Sequence, residues 1–418
     1  MFLMRTRRFS RTLEILLFGT MLLASLPTRV LAIPSAPEAC GPDATLEAVR
    51  RSPERLSWKL LAAKVGEWGN PAFSGVSLAE ALSIARIGAS GDVATELQEL
   101  LGIPPTLDCG PASLGGAWRA ARGDLEKADR SVTWRTVAGA WLARGLGPKK
   151  LWTAVAKNEF GATVREVDFG TAAVHSQINA WVRKMTSGKI DKLLEQRLDA
   201  NTLFVLANAL FFDAKWTHAF PTAATRPATF RGVAGDVSVP MMETRGSFAY
   251  AANDNGAVVR LPYGDTGAFE MIAWLPPENR SLADVVDERG RQALGALVEA
   301  ATPRPGTVRL PKFRVDAFSP DLSSALQTLG ATRIFSFSRD WSLLAPEKET
   351  RISRVAHRVV VDVTEQGTTV AAATAVVGVK RSALLEKPFV FDANRPFVYV
   401  VRHQPTNVWV ALGAYQAP

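Results

Sequence analysis

Serine, histidine, cysteine and carboxylate side chains carry most hydrolytic chemistry, and in this chain of 418 residues they form no familiar constellation. The four histidines stand far apart, at 175, 218, 357 and 403, and none has a second histidine or a carboxylate at a convincing ligand spacing. There is no G-x-S-x-G turn, no H-E-x-x-H, no G-x-x-x-x-G-K-[ST] and no G-x-G-x-x-G. Thr186-Ser187-Gly188-Lys189 resembles the end of a phosphate loop, but it lacks the leading glycine and runs into Ile190. Each histidine reads as a hydrogen-bonded structural residue. The sequence argues against an enzyme, a metal site and a bound cofactor.

One segment stands apart. Glu365 to Thr374 (EQGTTVAAAT) and the following AVVGVKRSALLEK lie between the strong strand sequences Val359–Val363 and Phe389–Phe391. Its small side chains bury little, which predicts an exposed loop of about twenty residues, a length that usually carries function. Yet no proline or charge blocks pairing between Gly367 and Val379, so the same residues suit a strand. Two readings stand on these residues alone: a conformational switch, or a flexible connector open to proteolysis. As a strand, Thr368, Val370, Ala372 and Thr374 share one face, and Thr369, Ala371, Ala373 and Ala375 the other. Such residues can enter a packed sheet without burying an unpaired charge.

The elements that must hold this segment follow from periodicity. Apolar spacing predicts helices from Glu54 to about Val65, from a cap at Ser77 through Ala85, and over Thr95–Leu101, Leu151–Glu159, His175–Thr186, Leu282–Ala301 and Leu322–Leu329. Strands are predicted at Leu203–Phe212, Thr307–Val315, Val355–Thr364, Pro396–Val401 and Val408–Tyr415, with a hairpin of Ala257–Pro262 and Ala268–Leu275 around Gly264-Asp265. A helix-rich first half and a strand-rich second half, with no internal repeat and no linker, favour a single α+β domain.

The first 32 residues read as a secretion signal. Arg5, Arg7, Arg8 and Arg11 precede the apolar run Leu13–Leu26, and Val30-Leu31-Ala32 offers a cleavage site. The run is short for a membrane span, although an uncleaved anchor is the alternative. Residues 33–53 read as an N-terminal extension and 54–418 as the folded domain. An exported product fits, secreted or extracellular, with the periplasm as a variant. Two cysteines, Cys40 and Cys109, can form a disulfide in an oxidising compartment or remain free thiols. The formal charge is +9, of which the first 32 residues contribute +4, leaving +5 on the remainder. With no basic block interleaved with aromatics, nucleic acid is excluded as a partner. Asn279-Arg280-Ser281 is a glycosylation sequon in a predicted turn.

EQGTTVAAAT resembles the hinge of the serpins, the serine protease inhibitor family. The likeness runs in order from about Glu54 to Pro418. Ser74 and Ser77 resemble the family's shutter serines. Ile178-Asn179-Ala180-Trp181-Val182 with Thr186 and Gly188-Lys189-Ile190 is similar to its I-N-x-W-V…T-x-G-K-I signature, and Asn208 through Trp216 to its N-a-x-x-F-x-x-x-W strand. Val239-Pro240-Met241-Met242, Leu261-Pro262-Tyr263, Leu310-Pro311-Lys312-Phe313 and Phe391…Asn394-Arg395-Pro396-Phe397 follow.

The resemblance implies three β-sheets, eight to nine helices and a reactive-centre loop at about 365–390, held outside a metastable body. A serine protease attacks the loop and forms an acyl bond; the cleaved hinge then inserts into the main sheet and carries the protease with it. It implies a hinge of Glu365, Gly367, Thr368, Val370, Ala371, Ala372 and Ala373, and a polar cluster of Ser74, Ser77 and Asn208 beneath the sheet. Trp216, His357 and Glu365 are expected where the hinge enters. Counting as in inhibitory members puts the reactive bond at Arg381–Ser382, beside Lys380. Trypsin-like proteases are the implied partners, because a guanidinium pairs with an acidic specificity pocket. A subtilisin-like processing protease is the runner-up for the dibasic pair, and Leu384 an elastase-type alternative. A single domain of this kind is expected to act as a monomer. Val370 stands where the family has alanine and Thr369 where it has glutamate; Gly75 replaces a usual proline, implying a looser shutter. A non-inhibitory carrier or chaperone-like member is the alternative function.

Overall fold

The computed structural model describes residues 42–67, 69–107, 110–319, 321–368 and 387–418. All belong to one unit spanning 37–418. The helices are α1 (Pro42–Lys64), α2 (Gly75–Arg86), α3 (Gly91–Leu101), α4 (Gly110–Ala128), α5 (Lys150–Asn158), α6 (Ala173–Met185), α7 (Leu282–Val285), α8 (Glu288–Ala300) and α9 (Ser323–Thr328). The strands are β1 (Ala72–Phe73), β2 (Thr133–Ala143), β3 (Thr163–Val167), β4 (Phe204–Lys215), β5 (Arg226–Gly232), β6 (Gly235–Asn253), β7 (Gly256–Tyr263) and β8 (Phe269–Leu275). They continue with β9 (Thr302–Pro311), β10 (Phe313–Ser319), β11 (Arg354–Thr364), β12 (Gly367–Thr368), β13 (Phe389–Asp392), β14 (Phe397–His403) and β15 (Val408–Tyr415).

Strand β4 reads FVLANALFFDAK, and an almost unbroken apolar run of this length belongs in a sheet covered on both faces. It lies inside a six-stranded sheet of order β10-β11-β12-β4-β2-β3. Phe204, Leu206, Leu210, Phe212 and Ala214 point into the main core, shared with α1, α2, β14 and β15. Val205, Ala207 and Ala209 point the other way, onto Val174, Ile178, Trp181 and Val182 of α6. The strand period of two thus builds two cores with one strand. The remaining strands form a nine-stranded network that divides along the long strand β6. Its first part pairs with β5 and β9, and β13 follows β9; its last residues pair with β7, which leads to β8, β14, β15 and β1. Counting the two parts separately gives three sheets.

Several expectations shift. Helix α1 starts at Pro42, inside the stretch expected to be an extension, with Thr45, Val49, Ser52 and Pro53 buried. Ser74, not Ser77, caps α2: its side chain accepts from the Ser77 amide. Thr307–Val315 contains two strands that leave for different sheets, β9 and β10, parted at Lys312. The Leu282–Ala301 helix is split at Val286–Asp287, where Asp287 caps α8. Helix α4 and strands β1, β2, β3, β5 and β6 are not among the elements expected from the sequence. Cys40 and Cys109 lie outside the described residues, as do residues 1–32.

Candidate functional site: the sheet opening and its polar cluster

The two strands at the centre of the six-stranded sheet, β11 and β4, are parallel neighbours. They pair directly over six positions, from Arg354↔Val205 to Val359↔Leu210. Above that they part. Gly367 and Thr368 of β12 fill the gap, antiparallel to both: Thr368 opposes Val363 and Ala214, and Gly367 opposes Thr364 and Lys215. Gly367 and Thr368 of the hinge segment are therefore already a central strand. Gly367 is needed there. It has φ +153°, and a Cβ on it would stand 2.1 Å from the Ala214 carbonyl oxygen.

Residues around the opening hold the turn that delivers this strand. Trp216 donates its amide to the Gln366 carbonyl at 3.0 Å and its indole N–H to the Thr364 carbonyl at 2.9 Å. Phe220 donates its amide to the Glu365 carbonyl at 2.8 Å. The Glu365 carboxylate meets Lys312 Nζ at 3.1 Å and accepts from Thr225 Oγ1 at 3.0 Å. Burial pushes that carboxyl up, but its own backbone N–H, Lys312 and Thr225 hold it below the usual range. The Thr368 side chain turns inward and is 1% exposed. Its hydroxyl lies 2.5 Å from that of Tyr263, whose ring stacks on Trp216 with centroids 4.3 Å apart.

Lower in the sheet, where β11 and β4 are still paired, a second group is sealed in the core. Ser74, Ser77, Asn208 and His357 are each at most 1% exposed. The Ser74 amide donates to His357 Nε2 at 3.1 Å, so this nitrogen is the acceptor and Nδ1 carries the proton. That Nδ1–H donates to Asn208 Oδ1, which also accepts from Ser77 Oγ at 3.0 Å. Asn208 returns its amide to the Ala356 carbonyl, and Ser74 Oγ donates to the Val410 carbonyl at 3.0 Å. One cluster thus ties α2, β4, β11 and β15 together. Burial holds the imidazole at about 3, well below its ordinary value, so it stays neutral.

The structure brings Ser74, Ser77 and Asn208 together and puts Trp216 and Glu365 at the opening, as expected. His357 is a correction. It was expected at the opening but opposes Asn208 instead, six residues before Val363, within the buried cluster. The expected loosening at Gly75 has no counterpart either, because a Cβ there would lie 2.3 Å from the Pro53 carbonyl oxygen. Val370, Ala371, Ala372, Ala373, Lys380, Arg381 and Ser382 lie outside the described residues. Tyr263, Lys312 and Thr225 gained no role from sequence reasoning, although the first two stand in the Leu-Pro-Tyr and Leu-Pro-Lys motifs.

The sequence profile described as "Serpin (serine protease inhibitor)" matches residues 51–418. The chain belongs to the serpin family. Serpin-ZXA of Oryza sativa subsp. japonica is 33% identical over 366 residues, covering 83% of this chain and 90% of that protein. The leukocyte elastase inhibitor of Bos taurus is 30% identical over 362 residues, covering 84% and 93%. Among solved structures, the native state of the thermophilic serpin Tengpin superposes with a TM-score of 0.78 at 23% identity, over 88% of this chain and 94% of that one. Human thyroxine-binding globulin gives 0.79 at 23% identity, over 90% and 99%. These likenesses show the serpin fold. The family is one of protease inhibitors rather than enzymes, and it includes non-inhibitory members.

Proposed function

We propose that this serpin is a secreted, monomeric suicide inhibitor of trypsin-like serine proteases, with Arg381–Ser382 as its reactive bond. The protease's serine oxygen attacks the Arg381 carbonyl carbon, the bond to the Ser382 nitrogen breaks, and the new amine leaves with a proton. Arg381 is then held as an ester on the protease while the freed hinge inserts.

The observation that carries the reading is the antiparallel seat of Gly367–Thr368 between β11 and β4. Continuing the same register downward would set Val370 between Phe212 and Val361, Ala372 between Leu210 and Val359, and Thr374 between Asn208 and His357. Insertion replaces one parallel pairing with two antiparallel ones, which are slightly more stable per residue. It also seats Thr374, a hydroxyl, at the one polar place in that buried row. The inward face of the hinge thus matches the groove it would fill, residue by residue. In that register Val370 would be the tight point, since Phe212 and Val361 are both buried.

The test is incubation of the mature chain with trypsin, read by denaturing gel electrophoresis. A covalent band near the summed masses is expected, lost in both Arg381→Glu and Thr368→Arg. Cleavage without such a band, repeated across a panel that includes subtilisin-like processing and elastase-type proteases, would establish a non-inhibitory binding protein instead.

A further inference from the structure

A cavity of about 700 Å³ shares no lining residue with the hinge or the buried cluster. It lies where the segment after α1, the turn after β8, the end of β5 and the start of β14 meet. Arg231 and Arg395 converge in it on one carboxylate. Arg231 Nη2 donates to Glu278 Oε1 at 3.1 Å and to Asn394 Oδ1 at 3.2 Å. Arg395 donates to the Pro276 carbonyl at 2.7 Å but stands 3.8 Å from the same Glu278 oxygen, beyond hydrogen-bond reach. Its side chain is only 17% exposed, whereas that of Glu278 is 68% exposed on a turn. Burial pushes the Arg395 guanidinium's pKa down, with Glu278 opposing and Arg231 adding to the shift.

Part of the wall is apolar. Val65 and Leu282 are buried beneath the cavity, and Val233 stands 66% exposed on its rim. The other lining carboxylate, Glu67, is engaged by Lys64 at 2.6 Å. Arg231 and Arg395, beside the apolar side chains of Val65, Leu282 and Val233, form a head-and-body arrangement, and a third guanidinium, Arg280, also lines the cavity. Guanidinia take carboxylate, sulfonate and phosphate heads through paired N–H donors. Glu278, tethered and solvated, holds that place loosely.

We propose that this cavity binds an amphipathic organic anion whose head displaces Glu278 from Arg231 and Arg395 and whose apolar body lies on Val65, Leu282 and Val233. The site is independent of the protease-trapping reading, and its test reads binding rather than inhibition.

The test titrates the full mature chain with anilinonaphthalene sulfonate, followed by fluorescence, and displaces the probe with dodecanoate. Dodecanoate is expected to compete, while dodecanol, dodecyltrimethylammonium and inorganic phosphate are not. Glu278→Gln removes the competing carboxylate and is expected to tighten binding ~3-fold or more, a gain that a merely structural residue would not give. Arg395→Gln and Val233→Glu are each expected to weaken it ~10-fold; Val233 is on the surface, so its variant keeps the fold if Arg395→Gln does not. Unchanged affinity in both Glu278→Gln and Val233→Glu would overturn the proposal. So would equal competition by the cationic amphiphile, or phosphate displacing the probe as well as dodecanoate does.

Discussion

The Thr368 hydroxyl lies 2.5 Å from the Tyr263 hydroxyl, both sealed in the core beneath the six-stranded sheet. The bond fastens the first inward-facing hinge residue to the strand below it. Each group is the other's partner, so removing one leaves a buried hydroxyl unsatisfied, at a cost of about 1–3 kcal/mol. Thr368→Val keeps the shape and is expected to lower the melting temperature by several degrees. Tyr263→Phe should do the same, and the double variant should lose less than the sum, since the orphaned group is gone. Strict additivity in the thermal melts would mean that the two hydroxyls are not coupled.

The outward face of the hinge makes a different prediction. In the register set by Thr368, residue 369 would enter between Asp213 of β4 and Asp362 of β11. Burial raises the Asp213 carboxyl, with Lys189 and Lys215 opposing, and Asp362 is held by Arg314 at 3.1 Å. Threonine there adds no charge, whereas the family's glutamate would put a third carboxylate among them. Thr369→Glu is therefore expected to slow insertion and shift product from covalent complex to cleaved chain by ~2-fold to 5-fold at neutral pH. The loss should shrink near pH 5, as carboxylates take up protons. An unchanged partition at pH 7 would count against this register.

His357 sets a pH dependence whose sign is fixed. Its pKa is about 3 in the fold against an ordinary 6.5, with burial as the cause. Below 6.5 the unfolded chain binds the proton and the folded chain does not, so stability is fully present above 6.5 and falls as pH drops towards 3. His403, held at about 4 mainly by burial, adds a loss of the same sign. Thermal melts between pH 7.5 and 4.5 are expected to show a falling midpoint. The slope should be shallower in His357→Gln, whose overall stability is lower because the bonds from Ser74 and to Asn208 are disturbed. An equal slope in that variant would remove His357 as a titrating group.

Much of this was written locally. The unbroken apolar run of β4 announced a central strand, and the small residues after Glu365 announced a segment able to enter it. What sequence did not reveal was where elements begin when burial, not periodicity, decides. Pro42 starts α1 although the preceding composition looks like a tail. The β5 and β6 strands alternate short polar and apolar residues around Gly232–Gly235 and carry little apolar signal. The placement of His357 depends on the β11–β4 register, a long-range property that no local pattern contains. Tyr263 was visible only as part of a motif, because its partner Thr368 lies 105 positions away.

Gly75 gives the last prediction, one that the missing proline alone would have turned the wrong way. Every residue of α2 is buried, and the helix starts directly after its cap, Ser74. Pro53 lies inside α1 and brings its carbonyl against this start, with Ser57 Oγ donating to the same oxygen at 2.6 Å. A Cβ at 75 would need that backbone to move by about an ångström, and it is held by a proline ring on one side and a hydrogen bond on the other. Overpacking of a close backbone contact costs ~1–3 kcal/mol, more than the few tenths that alanine regains in helix propensity. Gly75→Ala is expected to lower the melting midpoint, and because Ser74 holds His357, to raise the population of opened sheet. Faster uptake of a synthetic peptide copied from Thr368–Ala375 would report that opening. A more stable variant with unchanged peptide uptake would show that α1 yields there and that the contact does not constrain the cluster.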